Sequence, residues 1–186
     1  DTLYCDDIES PKRQICINLL GLILDILLKW FAPILSFTTE EIFQILNKEK
    51  RTSVHLENFP NIPQKWENKK IFEKWEKLKI VRNVTNAAIE VKRSSKDIGS
   101  SLEADIEVYL GEKYLKLVKD INLSEFFITS NAKAKSMTDS NKFFKIEGIN
   151  DIAVSVKKAE GEKCSRCWKI LGNPCDRCSG VLKNLS

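Results

Sequence analysis

"IVRNVTNAAIEVKRSSKDIGSSLEADIEVYL", Ile80 to Leu110, contains a change of hydrophobic period. Through Ser94 the apolar residues fall three and four apart, at Val81, Val84, Ala88 and Val91. The stripe runs back through Leu78, Trp75 and Ile71, and predicts a long helix from about Pro63 to Ser94. After "DIGSSLEA" the pattern alternates. Ala104, Ile106, Val108 and Leu110 then share one face, as in a half-buried strand. A helical part therefore gives way to a mixed part near Lys96.

Toward the N-terminus the helical signals continue. Ser10 is placed to cap a helix whose first residue is Pro11, and that helix should end before Pro33. "SFTTEEIFQILNK" starts another, with Thr38 or Thr39 as cap and Glu40 and Glu41 at the positive end of the dipole. Residues 51–63, which include Pro60 and Pro63, read as an extended connection. The run Ile15–Phe37 is long enough to cross a bilayer, but Asn18, Asp25 and Lys29 lie inside it and Pro33 breaks it. A central charge costs roughly 3 kcal/mol on insertion. The expectation is a buried member of a helical bundle, with no membrane partner.

Toward the C-terminus, "EKYLKLVKDI" reads as a short amphipathic helix, and "EFFITS" and "DIAVSVKKA" as strands. "NAKAKSMTDSNK" between those strands reads as a polar, mobile loop. The expected fold is mainly α. A helical bundle over 1–95 precedes a small α+β unit over 96–159, and a zinc-knuckle finger over 160–186 closes the chain.

Composition narrows the function classes. The chain has 186 residues, 42% of them apolar, and a formal charge of +4, ordinary values for a chain that buries a core. It begins with Asp, and reads as an excised or processed piece of a longer protein. No secretory signal opens it, because the first residues are acidic and lack an apolar centre. His55 is the only histidine, which rules out a His-dependent triad with a second His. No Gly-rich phosphate loop is present.

The densest chemistry lies in "KCSRCWKILGNPCDRCSG", Lys163 to Gly180. Four of the six cysteines, Cys164, Cys167, Cys175 and Cys178, form two C-x-x-C pairs seven residues apart. Two such knuckles can aim four thiolates at one ion, the geometry of a closed structural zinc site. Gly172, Asn173 and Pro174 supply a turn between them. The segment is too short for a core of its own, so the metal would supply its folding energy. Disulfides would suit a secreted chain, and a redox C-x-x-C would need only one pair. Cys5 and Cys16, far away in the helical part, read as small apolar fillers. Four thiolates with one Zn²⁺ bring the formal charge from +4 to about +2. Lys163, Arg166, Lys169, Arg177 and Lys183 offset that locally and make the finger a basic knob. Trp168 either stacks on an unpaired base or packs against the α+β unit, and the sequence leaves both readings open.

"LYCDD...SPKRQ" followed by "LLKWFAPILSFTTEEIFQIL" resembles the anticodon-binding helical region of class I aminoacyl-tRNA synthetases. "SVHLENFP", "KWEKLKIVRNVTNAAIEVKRSSKDIGSSLEADIEVYL" and the terminal "KAEGEKCSRCW...CDRC" are similar to the bacterial isoleucyl-tRNA synthetases and their C-terminal zinc finger. The likeness weakens over about residues 111–150, and the spacer between knuckles is shorter than that family's usual one. The resemblance implies a parent ligase, monomeric and cytoplasmic, that attaches isoleucine to tRNA-Ile using ATP and Mg²⁺. The catalytic H-x-G-H and K-M-S-K-S type motifs are absent, so this piece should bind tRNA and catalyse nothing alone. Its partners would be tRNA-Ile and the catalytic and editing domains of the same chain. Arg166, Trp168, Lys169 and Arg177 are the RNA-contact candidates, followed by Lys92, Arg93 and Lys96. Two rival readings are the zinc-finger tail of a DNA-repair glycosylase and a zinc-pinned interaction module.

Overall fold

The computed structural model describes residues 1–48, 52–137, 143–171 and 175–185, with helices predominating beside a three-stranded sheet and a two-stranded ribbon. The chain divides into two compact units, residues 1–67 and 68–184.

In the first unit, α1 (Thr2–Cys5) precedes α2 (Pro11–Phe31) and α3 (Ser36–Leu46). Ser10 occupies the extended N-cap position and Pro11 opens α2, although the Ser10 side chain makes no capping bond. The helix ends at Ala32, before Pro33, as the proline requires. α3 starts at Ser36, earlier than the expected Thr38 or Thr39 caps. Thr39 is instead buried within the helix, where its Oγ1 donates to the Leu35 carbonyl at 3.0 Å. Residues 54–56 form a 3-10 turn within the connection expected to be extended. Glu40 fastens that turn. Its carboxylate accepts from Ser53 Oγ at 2.8 Å and from the Val54 N–H at 2.9 Å. Hydrogen bonds from Gln44 and Ser53 hold the Glu40 carboxyl below its usual range. Leu28, Ala32, Phe43 and Val54 make the small core.

α2 departs from expectation. Of its side chains only Leu28 is buried, while Leu19, Leu20, Ile23 and Leu27 are exposed. Among the described residues of this unit its main contacts are with α1, α3 and the Val54 turn, too little structure to cover an all-round apolar helix. By length and composition α2 could also cross a membrane. The Asp25–Lys29 ion pair (2.9 Å) interrupts its apolar surface, with Glu57 3.7 Å from Lys29.

The second unit opens with α4 (Lys69–Ser94), which starts later than Pro63 because Asn68 caps it, accepting from the Ile71 N–H at 3.1 Å. Leu78, Val81, Val84, Thr85, Ala88 and Ile89 are its buried face, whereas Ile71, Trp75 and Val91 stay about half exposed. That face packs on the sheet. Compactness thus groups α4 with the α+β part, whereas the sequence reading set it in a bundle over 1–95.

β1 (Ala104–Leu110) is followed by α5 (Glu112–Val118), α6 (Leu123–Phe126), β2 (Asn131–Ser136) and β3 (Ile152–Lys158). The sheet order is β2-β1-β3, with β2 parallel and β3 antiparallel to β1. A parallel neighbour needs a crossover, and α5 and α6 provide it. Ala104, Ile106, Val108 and Leu110 are all buried, as the alternation requires. Ile106, Val108, Ile152, Val154 and Phe127 join the α4 face in one core.

Two expectations fail in this unit. "EFFITS" is not a strand. Asn122 caps α6 by accepting from the Glu125 N–H, and the chain then turns at Ile128, whose φ is +58°. "NAKAKS" is not a loop but β2, because Ala132 and Ala134 give one face small enough to lie against the core. Residues 138–142 of the expected loop lie outside the described residues. The chain ends in a two-stranded ribbon, β4 (Glu162–Lys163) with β5 (Ile170–Leu171), and α7 (Asp176–Leu185).

Candidate metal centre and nucleic-acid interface

The β4–β5 ribbon builds the first cysteine knuckle. Its return is closed by the Trp168 N–H donating to the Cys164 carbonyl at 2.9 Å, and the Cys164 N–H donating to the Lys169 carbonyl at 2.9 Å. The second knuckle lies at the start of α7, where the Ser179 N–H reaches the Cys175 carbonyl at 2.9 Å. The turn expected at Gly172, Asn173 and Pro174 lies outside the described residues.

The two knuckles bring the Sγ atoms of Cys164, Cys167, Cys175 and Cys178 within 4.8 Å of one another. Cys167 and Cys175 stand 3.7 Å apart, and all four thiols are free. Tetrahedral ligands at ~2.3 Å from a centre lie ~3.8 Å from each other, whereas a disulfide needs ~2.05 Å. The group therefore fits one tetrahedral ion. Backbone N–H groups of Cys167 and then Arg166 favour the Cys164 thiolate and bring its pKa down to about 7. Burial pushes the Cys167 and Cys178 thiols up. A bound cation reverses that second effect, because it compensates the charge that burial penalises.

Trp168 is 60% exposed, which leaves much of its surface open to solvent. Its backbone is left-handed, with φ +65°, a conformation glycine usually fills and a bulky residue rarely does. Lys163 Nζ lies 5.1 Å from the centre of its ring. Arg166 and Arg177 are half-buried, Arg166 in the first knuckle and Arg177 in the first turn of α7. Lys163 and Arg166 line a cavity of about 380 Å³ beside the cysteines. Lys169 is turned inward, its Nζ 3.3 Å from the hydroxyl of Ser124.

The lower-ranked candidates sit at the end of α4. Lys92 pairs with Asp97 at 2.9 Å and Arg93 with Glu90 at 2.6 Å. Lys96 holds the left-handed position after the helix, with φ +61°. The Lys96 N–H meets the Arg93 carbonyl and the Asp97 N–H the Lys92 carbonyl, a Schellman closure. These residues therefore finish a helix as well as carrying charge. Sequence reasoning missed Ser124 and Ser130, which fasten the finger to the α6–β2 corner. Nothing local to either residue signals that role, since the partners lie 45 and 40 residues away.

Residues 1–110 match the family described as the anticodon-binding domain of tRNA ligase. The chain is 44% identical over 178 residues to the isoleucine–tRNA ligase of Pelagibacter ubique, covering 95% of this chain and 18% of that protein. It is 40% identical over 171 residues to the isoleucine–tRNA ligase of Bradyrhizobium diazoefficiens, covering 91% of this chain and 17% of that protein. To the Rhodopseudomonas palustris isoleucine–tRNA ligase it is 38% identical over 177 residues, with 93% and 18% covered. The chain thus spans less than a fifth of the length of these curated relatives. With the family match extending from α1 through α4 to the end of β1, the chain belongs to the anticodon-binding domain family of tRNA ligases.

Proposed function

We propose that this chain is the tRNA-binding portion of an isoleucine–tRNA ligase, with one structural zinc on Cys164, Cys167, Cys175 and Cys178. The observation that carries the reading is the reach of the likeness. Similarity to isoleucine–tRNA ligases covers 95% of the chain, so it takes in the cysteine finger as well as the helical part. The parent would join isoleucine to tRNA-Ile in the cytoplasm, as a monomer, with ATP and Mg²⁺ bound by domains outside this chain.

The physical division of labour supports this. Anticodon bases are unpaired and are read by stacking and on their edges. An exposed Trp168 held at a fixed angle by a rigid knuckle suits stacking, with the Lys163 ammonium 5.1 Å from its ring centre. Arg166 and Arg177 add positive charge to the same finger, while Lys169 is held at Ser124 and would contact RNA only on leaving it. The paired Lys92 and Arg93, with Lys96, are secondary phosphate contacts. The apolar surface of α2 supports packing against the catalytic and editing domains of the same polypeptide. Docking at the anticodon then holds the distant acceptor end in place, a proximity contribution to charging.

The test is direct binding of tRNA-Ile and of a non-cognate tRNA to the full-length ligase over a salt series. Cognate preference is expected, with affinity falling steeply as salt rises, because phosphate contacts release counterions. Equal binding of both tRNAs, or tighter binding of duplex DNA, would overturn the reading.

A further inference from the structure

We propose that Ser130 is a positioning residue for tRNA recognition, a latch that fixes the angle at which the cysteine finger presents Trp168. This rests on the reading that the finger contacts tRNA.

Ser130 is 5% exposed and precedes β2. Its hydroxyl accepts from the Ile170 N–H of β5 at 2.6 Å and donates to the Leu102 carbonyl. One side chain therefore joins three segments, the lead-in to β1, the lead-in to β2 and the finger ribbon. The first two run directly into β1 and β2, so the ribbon is referred to two adjacent strands of the central sheet. The corner that carries Ser130 is itself held tightly. Phe127 is buried in the core, Ile128 makes the left-handed turn, and Thr129, also buried, donates its Oγ1 to the Asn131 carbonyl at 3.1 Å.

The lever is short. Trp168 lies two residues before Ile170, within ~7 Å along an extended chain. Lys169 between them is anchored to Ser124 on the same corner. The backbone at Trp168 is fixed by its own bond to Cys164 and by the left-handed φ. Releasing Ile170 therefore turns the finger as a rigid piece. The knuckles, whose internal hydrogen bonds do not involve Ser130, would stay intact and keep their metal.

The experiment compares Ser130→Ala, Ser130→Thr, Ser124→Ala and Trp168→Ala in the full-length ligase, with tRNA-Ile transcript as the probe. Ser130→Ala should raise the KM for tRNA-Ile about five- to tenfold, the loss expected for one buried hydrogen-bonded hydroxyl. Turnover, zinc content and tRNA-independent ATP–pyrophosphate exchange should stay within about twofold of wild type. Exchange of the Ile170 amide proton should accelerate, which reports the latch without reference to RNA. Ser130→Thr, which keeps the hydroxyl, should recover most of the KM. Ser124→Ala, at a less buried position, should shift KM the same way by less, and keeps the test open if Ser130→Ala fails to fold. A raised KM in Trp168→Ala with an unchanged KM in the serine variants overturns the positioning role and leaves the RNA reading standing. An unchanged KM in Trp168→Ala as well overturns the finger's part in tRNA recognition, and the latch's role with it.

Discussion

Removing the proposed zinc should unfold the finger and spare the sheet. The perturbation is Cys178→Ser, or a strong chelator applied to the reduced protein. Among the described residues from 160 onward, the buried side chains are Cys167, Cys178 and Val181. Burying one valine contributes about 2 kcal/mol. A structural zinc site contributes roughly 10–16 kcal/mol at neutral pH. The metal term exceeds the local apolar term several-fold, so without it the knuckles should lose their order. The β2-β1-β3 sheet has its own core from Ile106, Val108, Ile152 and Val154 and should persist. The assay is metal analysis combined with amide hydrogen exchange before and after chelation. The expected result is about one zinc per chain, with protection lost across the finger and retained in β1 and β3. The pH dependence has a definite sign. Burial favours the neutral thiols of Cys167 and Cys178, so metal binding must expel protons. Affinity should fall roughly tenfold per pH unit for each proton released as the pH drops. Freshly purified reduced protein without zinc, or a finger that keeps its protection after chelation, would refute the reasoning.

Three further outcomes are expected. Trp168→Ala in the full-length ligase should weaken tRNA-Ile binding roughly 5- to 150-fold, the range for one lost base–aromatic stack, with circular dichroism unchanged. An unchanged affinity would make the ring irrelevant to RNA. Phe127→Ala should destabilise the second unit by about 3–5 kcal/mol in denaturant melts, because the ring is fully buried against the sheet; a loss below about 1 kcal/mol would contradict the described core. Glu40 should titrate below the ordinary glutamate range by carboxyl NMR. Its folded pKa is depressed, so its hold on the 54–56 turn is present above the ordinary value and disappears as pH falls through the depressed one. A Glu40 titrating at or above the ordinary value would remove the clasp.

The parts of the fold that were legible in the sequence are those decided locally. Ser10, Pro11 and Pro33 bound α2 through backbone restrictions that need no tertiary partner. The alternation from Ala104 to Leu110 made β1 legible, since every second residue is apolar. The cysteine spacing brought four thiols together because each knuckle is itself a local structure. What failed depended on distant partners. The Ala–Lys alternation of β2 looks polar until β1 lies beside it. Capping by Asn122 outweighed the strand propensity of Phe126, Phe127 and Ile128. α4 carried a correct helical period, but period alone does not say whether a helix packs on helices or on a sheet. Ser130 had no local signature at all, because a buried serine becomes a latch only when Ile170 arrives. The same limit applies to α2, whose apolar surface says that it wants a cover without naming one.

The most direct test of the central claim is a chemical footprint of tRNA-Ile on the full-length ligase, with and without residues 160–186. The account predicts that deletion removes protection of the anticodon loop while ATP–pyrophosphate exchange continues. Protection that survives the deletion unchanged would contradict it.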